Sequence, residues 1–220
     1  MSDSVHILES SITAGHCQRN WDTKPIPEED IKTITDVALN MPTKQNVLQY
    51  EIIAITNREV IEYLYSIAVS VASDAPPGGA IFKGNEIYRN GQVNASLLLI
   101  WITSTNPKQW VNVASKDKSN IDHYSKCIGV GISAGATALA ANQLGYRTGF
   151  NQCYDQTKMK QFITNNTEYG DNFMTSLGIG YPLEGYSRNQ TVKEGTDGTR
   201  RVVFTSQLMA SEKLKLVTFI

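Results

Sequence analysis

The sequence predicts one domain built from both helices and strands. Amphipathic stripes with a period near 3.6 alternate along the chain with short β-branched runs. One run, residues 96–103, is apolar throughout, as a strand buried on both faces requires. The 220 residues are closer to one large domain of about 150 residues with extensions than to two such domains.

The first strong start signal is Pro25-Ile26-Pro27-Glu28-Glu29-Asp30, a proline beside three carboxylates at a positive helix end. It opens a helix over 27–40, with Ile31, Ile34, Val37, Ala38 and Met41 on one stripe and Pro42 stopping it. A strand is predicted at 50–55 and a second helix at 58–72. The stretch 73–79, rich in proline and glycine, reads as part of a loop over about 73–92. After the buried strand at 96–103 comes the longest helix, 120–144. It carries Gly129, Gly131, Ser133, Ala134, Gly135 and Ala138, small enough for another helix to approach closely. Gly145 ends it. A short strand at 146–151, a helix at 157–164 and a strand at 175–180 follow. Residues 184–199 read as a polar loop, and 201–206 and 214–220 as strand-like pieces of a C-terminal extension over about 200–220.

Composition narrows the function. Apolar residues are 41% and charged ones 19%, and 20 basic against 21 acidic side chains leave no general field for nucleic acid or anionic lipid. Cys17, Cys127 and Cys153 form neither a disulfide framework nor a zinc pattern, and no metal site is expected. Residues 127–141 fall short of the roughly 20 needed to cross a bilayer. No membrane partner is expected, and without a secretory pattern in residues 1–6 the expected location is cytoplasmic. No serine elbow, histidine metal spacing or phosphate loop occurs, so in an enzyme a cofactor should carry the chemistry.

Five segments taken together resemble the nitroreductase family of FMN-dependent oxidoreductases. They are Cys17-Gln18-Arg19-Asn20-Trp21, Pro25 to Ile31, Pro42-Thr43-Lys44-Gln45-Asn46, Gly131-Ile132-Ser133-Ala134-Gly135-Ala136 leading to Leu144-Gly145-Tyr146, and Leu177-Gly178-Ile179-Gly180-Tyr181-Pro182. The resemblance covers roughly residues 8–182. It implies an α+β fold with a mixed central sheet flanked by helices, a single domain over 1–220, an intertwined homodimer, and FMN at the dimer interface. It also implies that hydride passes from NADH or NADPH through flavin N5 to a small electron-poor acceptor such as a nitroaromatic, quinone or flavin. No side chain is then the catalytic group.

The resemblance assigns cofactor contacts to His16, Cys17 and Arg19 in the N-terminal motif, to Thr43, Lys44 and Asn46 after the first helix, and to Asn90 and Gln92 before the buried strand. Gln152 and Cys153 fall where the family's backbone N–H groups approach flavin N5. Lys193, Arg200 and Arg201 are the candidates for a late basic contact to the phosphate. Arg19 also fits a surface arginine, Lys44 a solvated turn, and Asn90 and Gln92 a plain strand entry. One departure stands out. Gly15 occupies a position where the family carries a basic residue, so one phosphate contact is missing and weaker FMN binding would follow. Two alternatives remain: a dimeric scaffold that binds FMN weakly or not at all, and a specialised relative that performs reductive dehalogenation or flavin fragmentation.

Overall fold

The computed structural model describes residues 9–11, 13–14, 17–47, 49–68, 81–82, 86–87, 90–103, 123–167, 172–184, 190–194 and 200–204. Gly15, His16 and the expected strand at 214–220 lie outside the described residues.

The helices are α1 (Glu28–Leu39), α2 (Arg58–Ile67), α3 (His123–Gln143) and α4 (Gln156–Asn166). Strands β1 (Trp21–Asp22), β2 (Glu51–Ile55), β5 (Leu97–Thr103), β6 (Arg147–Asn151) and β7 (Asn172–Pro182) form the main sheet. A second sheet holds β3 (Ile81–Phe82), β4 (Glu86–Ile87), β8 (Gln190–Glu194) and β9 (Arg200–Phe204) in the order β3-β4-β8-β9. Short 3-10 turns occupy Lys44–Asn46 and Gly91–Val93. All pairings between the described strands are antiparallel.

The continuous apolar run of β5 follows from its place between two layers of helix. Leu97, Leu99 and Trp101 join Ile34 and Ala38 of α1 and Val130, Ala134 and Ala138 of α3 in one core. Leu98, Ile100 and Ile102 point the other way, into a core with Ile61 and Leu64 of α2 and Met159 and Ile163 of α4. Alternate side chains of a strand face opposite sides, so every position of β5 is needed to fill both. Ser133 ties the first core together: it accepts from Trp101 Nε1 at 2.9 Å and donates to the Ala38 carbonyl at 2.6 Å.

Local signals explain most boundaries. Asn57 Oδ1 accepts from the Glu59 and Val60 amides, and Asp155 Oδ1 from those of Thr157 and Lys158, which caps α2 and α4. Gly145 (φ +94°) closes α3, with Tyr146 N–H bonded back to Ala141 O. Three expectations need correction. The second helix stops at Ile67, because Ala68 turns to extended backbone and bridges Tyr154. Residues 190–194, expected within a loop, form a strand paired with β9. Residues 81–82 and 86–87, expected in the loop over 73–92, are paired strands as well.

Candidate functional site

Three segments of the sequence-predicted site meet at the free edge of β6. Gln18 N–H donates to Thr148 O at 2.8 Å, which lays Cys17–Asn20 alongside that strand, and the Cys17 thiol lies 4.0 Å from Phe150 O. The segment is anchored by Trp21, whose Nε1 donates to Gly91 O at 2.7 Å, and by the buried Gln18 side chain, bonded to Asn20 O. The Gly91–Val93 turn in its turn rests directly on the sheet. A Cβ on Gly178 of β7 would lie 1.9 Å from Gln92 O, and one on Gly149 of β6 would lie 2.5 Å from Gln18 O. Backbone can approach this closely only over residues without a side chain.

This packing gathers Cys17, Arg19, Asn90, Gln92, Gln152 and Cys153. Arg19 is half-buried; its Nη1 donates to Cys17 O at 3.2 Å, and no carboxylate pairs with it among the described residues. Gln92 is buried at 6% exposure, and its Oε1, like oxygens of Gln49, Asn94 and Asn142, has no hydrogen-bond partner among the described residues. A buried acceptor left unpaired costs about 1–3 kcal/mol, and of the four, Gln92 Oε1 alone belongs to a residue that the sequence assigned to the cofactor. Asn90 Nδ2 donates to Asn151 Oδ1 at 2.7 Å. Gln152 is exposed, its side chain bonded to Met174 O at 3.3 Å.

Asn151 was not among the residues the sequence singled out, and it organises this corner. Its Oδ1 also accepts from Cys153 N–H at 3.1 Å, and its Nδ2 donates to Cys153 O at 3.3 Å. Beneath it, Ser176 Oγ donates to Asn151 O at 3.0 Å and lies 2.8 Å from the Tyr154 hydroxyl. Burial pushes Tyr154 up to about 12, so it is neutral at physiological pH. The only sequence signal for Asn151 is a carboxamide at the last position of a short strand, where such side chains bond to nearby backbone.

The remaining candidates stand elsewhere. Thr43, Lys44 and Asn46 lie beside α3, with the Thr43 methyl 3.6 Å and Gln49 Oε1 3.4 Å from where a Cβ on Gly129 would sit. Asn46 adopts φ +53°, a left-handed conformation that asparagine tolerates. Lys193, Arg200 and Arg201 are on the β8–β9 hairpin, Lys193 opposite Arg201 and Arg200 opposite Glu194. A separate cavity of about 340 Å³, lined among others by Thr23, Ile26, Glu28, Arg58 and Ser96, contains none of the expected site residues. No group of three or more metal-ligating side chains occurs among the described residues. No helix among them is long and apolar enough to cross a membrane.

A half-buried cation beside a buried carboxamide oxygen suits a ligand with a polar rim and an anionic tail. Comparisons with known proteins show the family and the fold. The model of the Nitroreductase family matches residues 12–181. A nitroreductase with bound FMN from Bacteroides fragilis NCTC 9343 superposes over 100% of both chains with a TM-score of 0.64 at 16% identity. A nitroreductase family protein from Clostridium novyi NT covers 86% of this chain and 90% of its own, with a TM-score of 0.58 at 12% identity. An FMN-dependent nitroreductase from Clostridium difficile R20291 covers 80% and 89%, with a TM-score of 0.54 at 16% identity. The sequence has no match among curated proteins.

Proposed function

Since the chain belongs to the nitroreductase family, we propose that it is an FMN-dependent oxidoreductase that takes reducing equivalents from NADH or NADPH and passes them to a small electron-poor acceptor, a nitroaromatic, quinone or flavin. The observation that carries this reading is the unpartnered Gln92 Oε1, buried beside the β6 edge where Cys17–Arg19 run. That atom fits the group: an isoalloxazine presents an N–H at its pyrimidine rim, and an acceptor fixed by Gly149 and Gly178 would receive it. FMN, when bound, supplies hydride acceptance and donation at its N5.

Each protein group then has a defined task. Arg19 places positive charge beside a ligand that carries a phosphate and gains negative charge on reduction. Gln92 orients the polar rim, and the open backbone at Gln152 offers a donor. Thr43, Lys44 and Asn46 form a second group beside α3, which supports a site completed by another copy of the chain. The face of α3 agrees with a homodimer: Tyr124, Ile128 and Ile132 are 77%, 62% and 42% exposed, and Cβ atoms on Gly131 and Gly135 would meet nothing within 4 Å. Apolar side chains exposed along successive turns of one helix mark an interaction surface.

The test is to purify the protein, record its visible absorbance, and titrate the flavin-free form with FMN. Flavin absorbance and stoichiometric uptake are expected, followed by bleaching with NADH or NADPH without oxygen and recovery on adding a quinone or nitroaromatic. Failure to take up FMN would refute the reading. Bleaching by neither nucleotide would refute the donor assignment alone.

A further inference from the structure

Asn151 is 4% exposed, and both ends of its carboxamide are bound to the residue two positions on, in a closed ring through Cys153 N–H and Cys153 O. Asn90 Nδ2, from a segment 61 residues distant, donates to the same Oδ1 at 2.7 Å. The path of the Gln152–Cys153 turn is therefore set by a side chain beneath it.

The pleat of β6 shows which groups remain open. Thr148 O accepts from Gln18 N–H, so the backbone of Thr148 faces away from β7. Backbone direction alternates along a strand, so Phe150 faces the same way, while Arg147, Gly149 and Asn151 face β7, where their partners are Gly180, Gly178 and Ser176; the strand ends at Asn151, and Gln152 opens the turn. Within that turn Cys153 N–H is already taken by Asn151 Oδ1, at 3.1 Å.

We propose that Asn151 is a positioning residue of the flavin site: by holding the N–H and C=O of Cys153 it sets the turn so that Gln152, and not Cys153, offers the backbone donor to the flavin. This rests on the FMN reading above. Asn90, assigned to the cofactor by resemblance, acts in this arrangement through Asn151. The carboxamide oxygen matters most, since it takes two of the three bonds at 2.7 and 3.1 Å, against one at 3.3 Å for the nitrogen.

Two substitutions separate positioning from general support. Asn151→Leu keeps the volume and removes all three bonds; Asn151→Asp keeps both acceptor bonds. Amide hydrogen exchange of the flavin-free protein should show the Cys153 N–H at least about tenfold faster in Asn151→Leu than in wild type, the factor one hydrogen bond represents. The Met159 N–H, bonded to Asp155 O within α4, should be unchanged and reports that the domain is folded. In FMN titrations Asn151→Leu should bind at least about tenfold more weakly, and Asn151→Asp should fall between Leu and wild type, since it keeps both acceptor bonds but turns an oxygen toward Cys153 O. Unchanged exchange at Cys153 in Asn151→Leu would overturn the proposal, as would faster exchange with unchanged FMN affinity. If wild type takes up no FMN while Cys153 exchange behaves as expected, the flavin reading falls and takes the proposed role with it.

Discussion

Gly178→Ala should disrupt the site through a single methyl group. The new Cβ would sit 1.9 Å from Gln92 O and 3.1 Å from both Gln92 C and the Ala95 Cβ. Ordinary contact needs at least about 3.2 Å between carbon and oxygen, so something must move by more than an ångström. It cannot be Gly178, whose strand is paired with Leu98 of β5 on one side and Gly149 of β6 on the other. The Gly91–Val93 turn must lift, and it carries Gln92 and accepts the Trp21 bond through Gly91 O. Overpacking a core costs about 1–3 kcal/mol, and a clash against backbone belongs at the upper end. For a chain of this size about 3 kcal/mol lowers Tm by roughly 6 °C or more. Thermal and urea denaturation should show that loss, and flavin titration should show weakened FMN binding because Gln92 Oε1 is displaced. A Gly178→Ala protein within about 0.5 kcal/mol of wild type, retaining full FMN affinity, would refute the nesting of this turn on β7 as the basis of the site.

Arg19→Ala should weaken FMN by about 1.5–3 kcal/mol, the scale of a hydrogen bond to a charged group, and unchanged affinity in a fluorescence titration would remove Arg19 from the site. Replacing Ile128 and Ile132 of α3 by glutamate should convert a dimer into a species near 24.3 kDa in light scattering, whereas Gly131→Ala in a chain that stays monomeric should stabilise by about 0.5–1 kcal/mol. At high pH the buried tyrosines matter. Burial raises Tyr50, and it raises Tyr146 strongly with help from the Asp30 carboxylate beside it. Together with Tyr154, held near 12, at least three of the ten tyrosines should stay neutral above pH 10 and ionise with unfolding in an absorbance titration. A raised folded-state value means the stabilisation is whole below pH 10 and is lost as pH climbs toward 12 and beyond; Tyr154→Phe should lessen that loss.

Much of this architecture was legible because its signals are local. The spacing of Ile34 and Ala38, the glycine at 145 and the unbroken run at 97–103 each act within a few residues; the caps at Asn57 and Asp155 are equally local, though they were not singled out in the sequence. They bias each segment toward helix or strand, and packing of the apolar face then stabilises it. Motif order sufficed for the family; of the contacts the resemblance assigned, the fold gathers Cys17, Arg19, Asn90, Gln92, Gln152 and Cys153 around β6, while Thr43, Lys44, Asn46, Lys193, Arg200 and Arg201 stand elsewhere and His16 lies outside the described residues.

What only the tertiary structure decided depends on partners far along the chain. Trp21–Asp22 is a strand because β7 extends to Pro182 to meet it, and 190–194 is one because 200–204 pairs with it. The second helix stops at Ile67 because Ala68 is claimed by Tyr154. In the site the same holds for Asn151, whose importance comes from Asn90 and Ser176, 61 and 25 residues away. Periodicity reports which face of an element is apolar. It carries no record of which distant carbonyl or amide will fall within 3 Å, because that is set by how two separately specified surfaces pack.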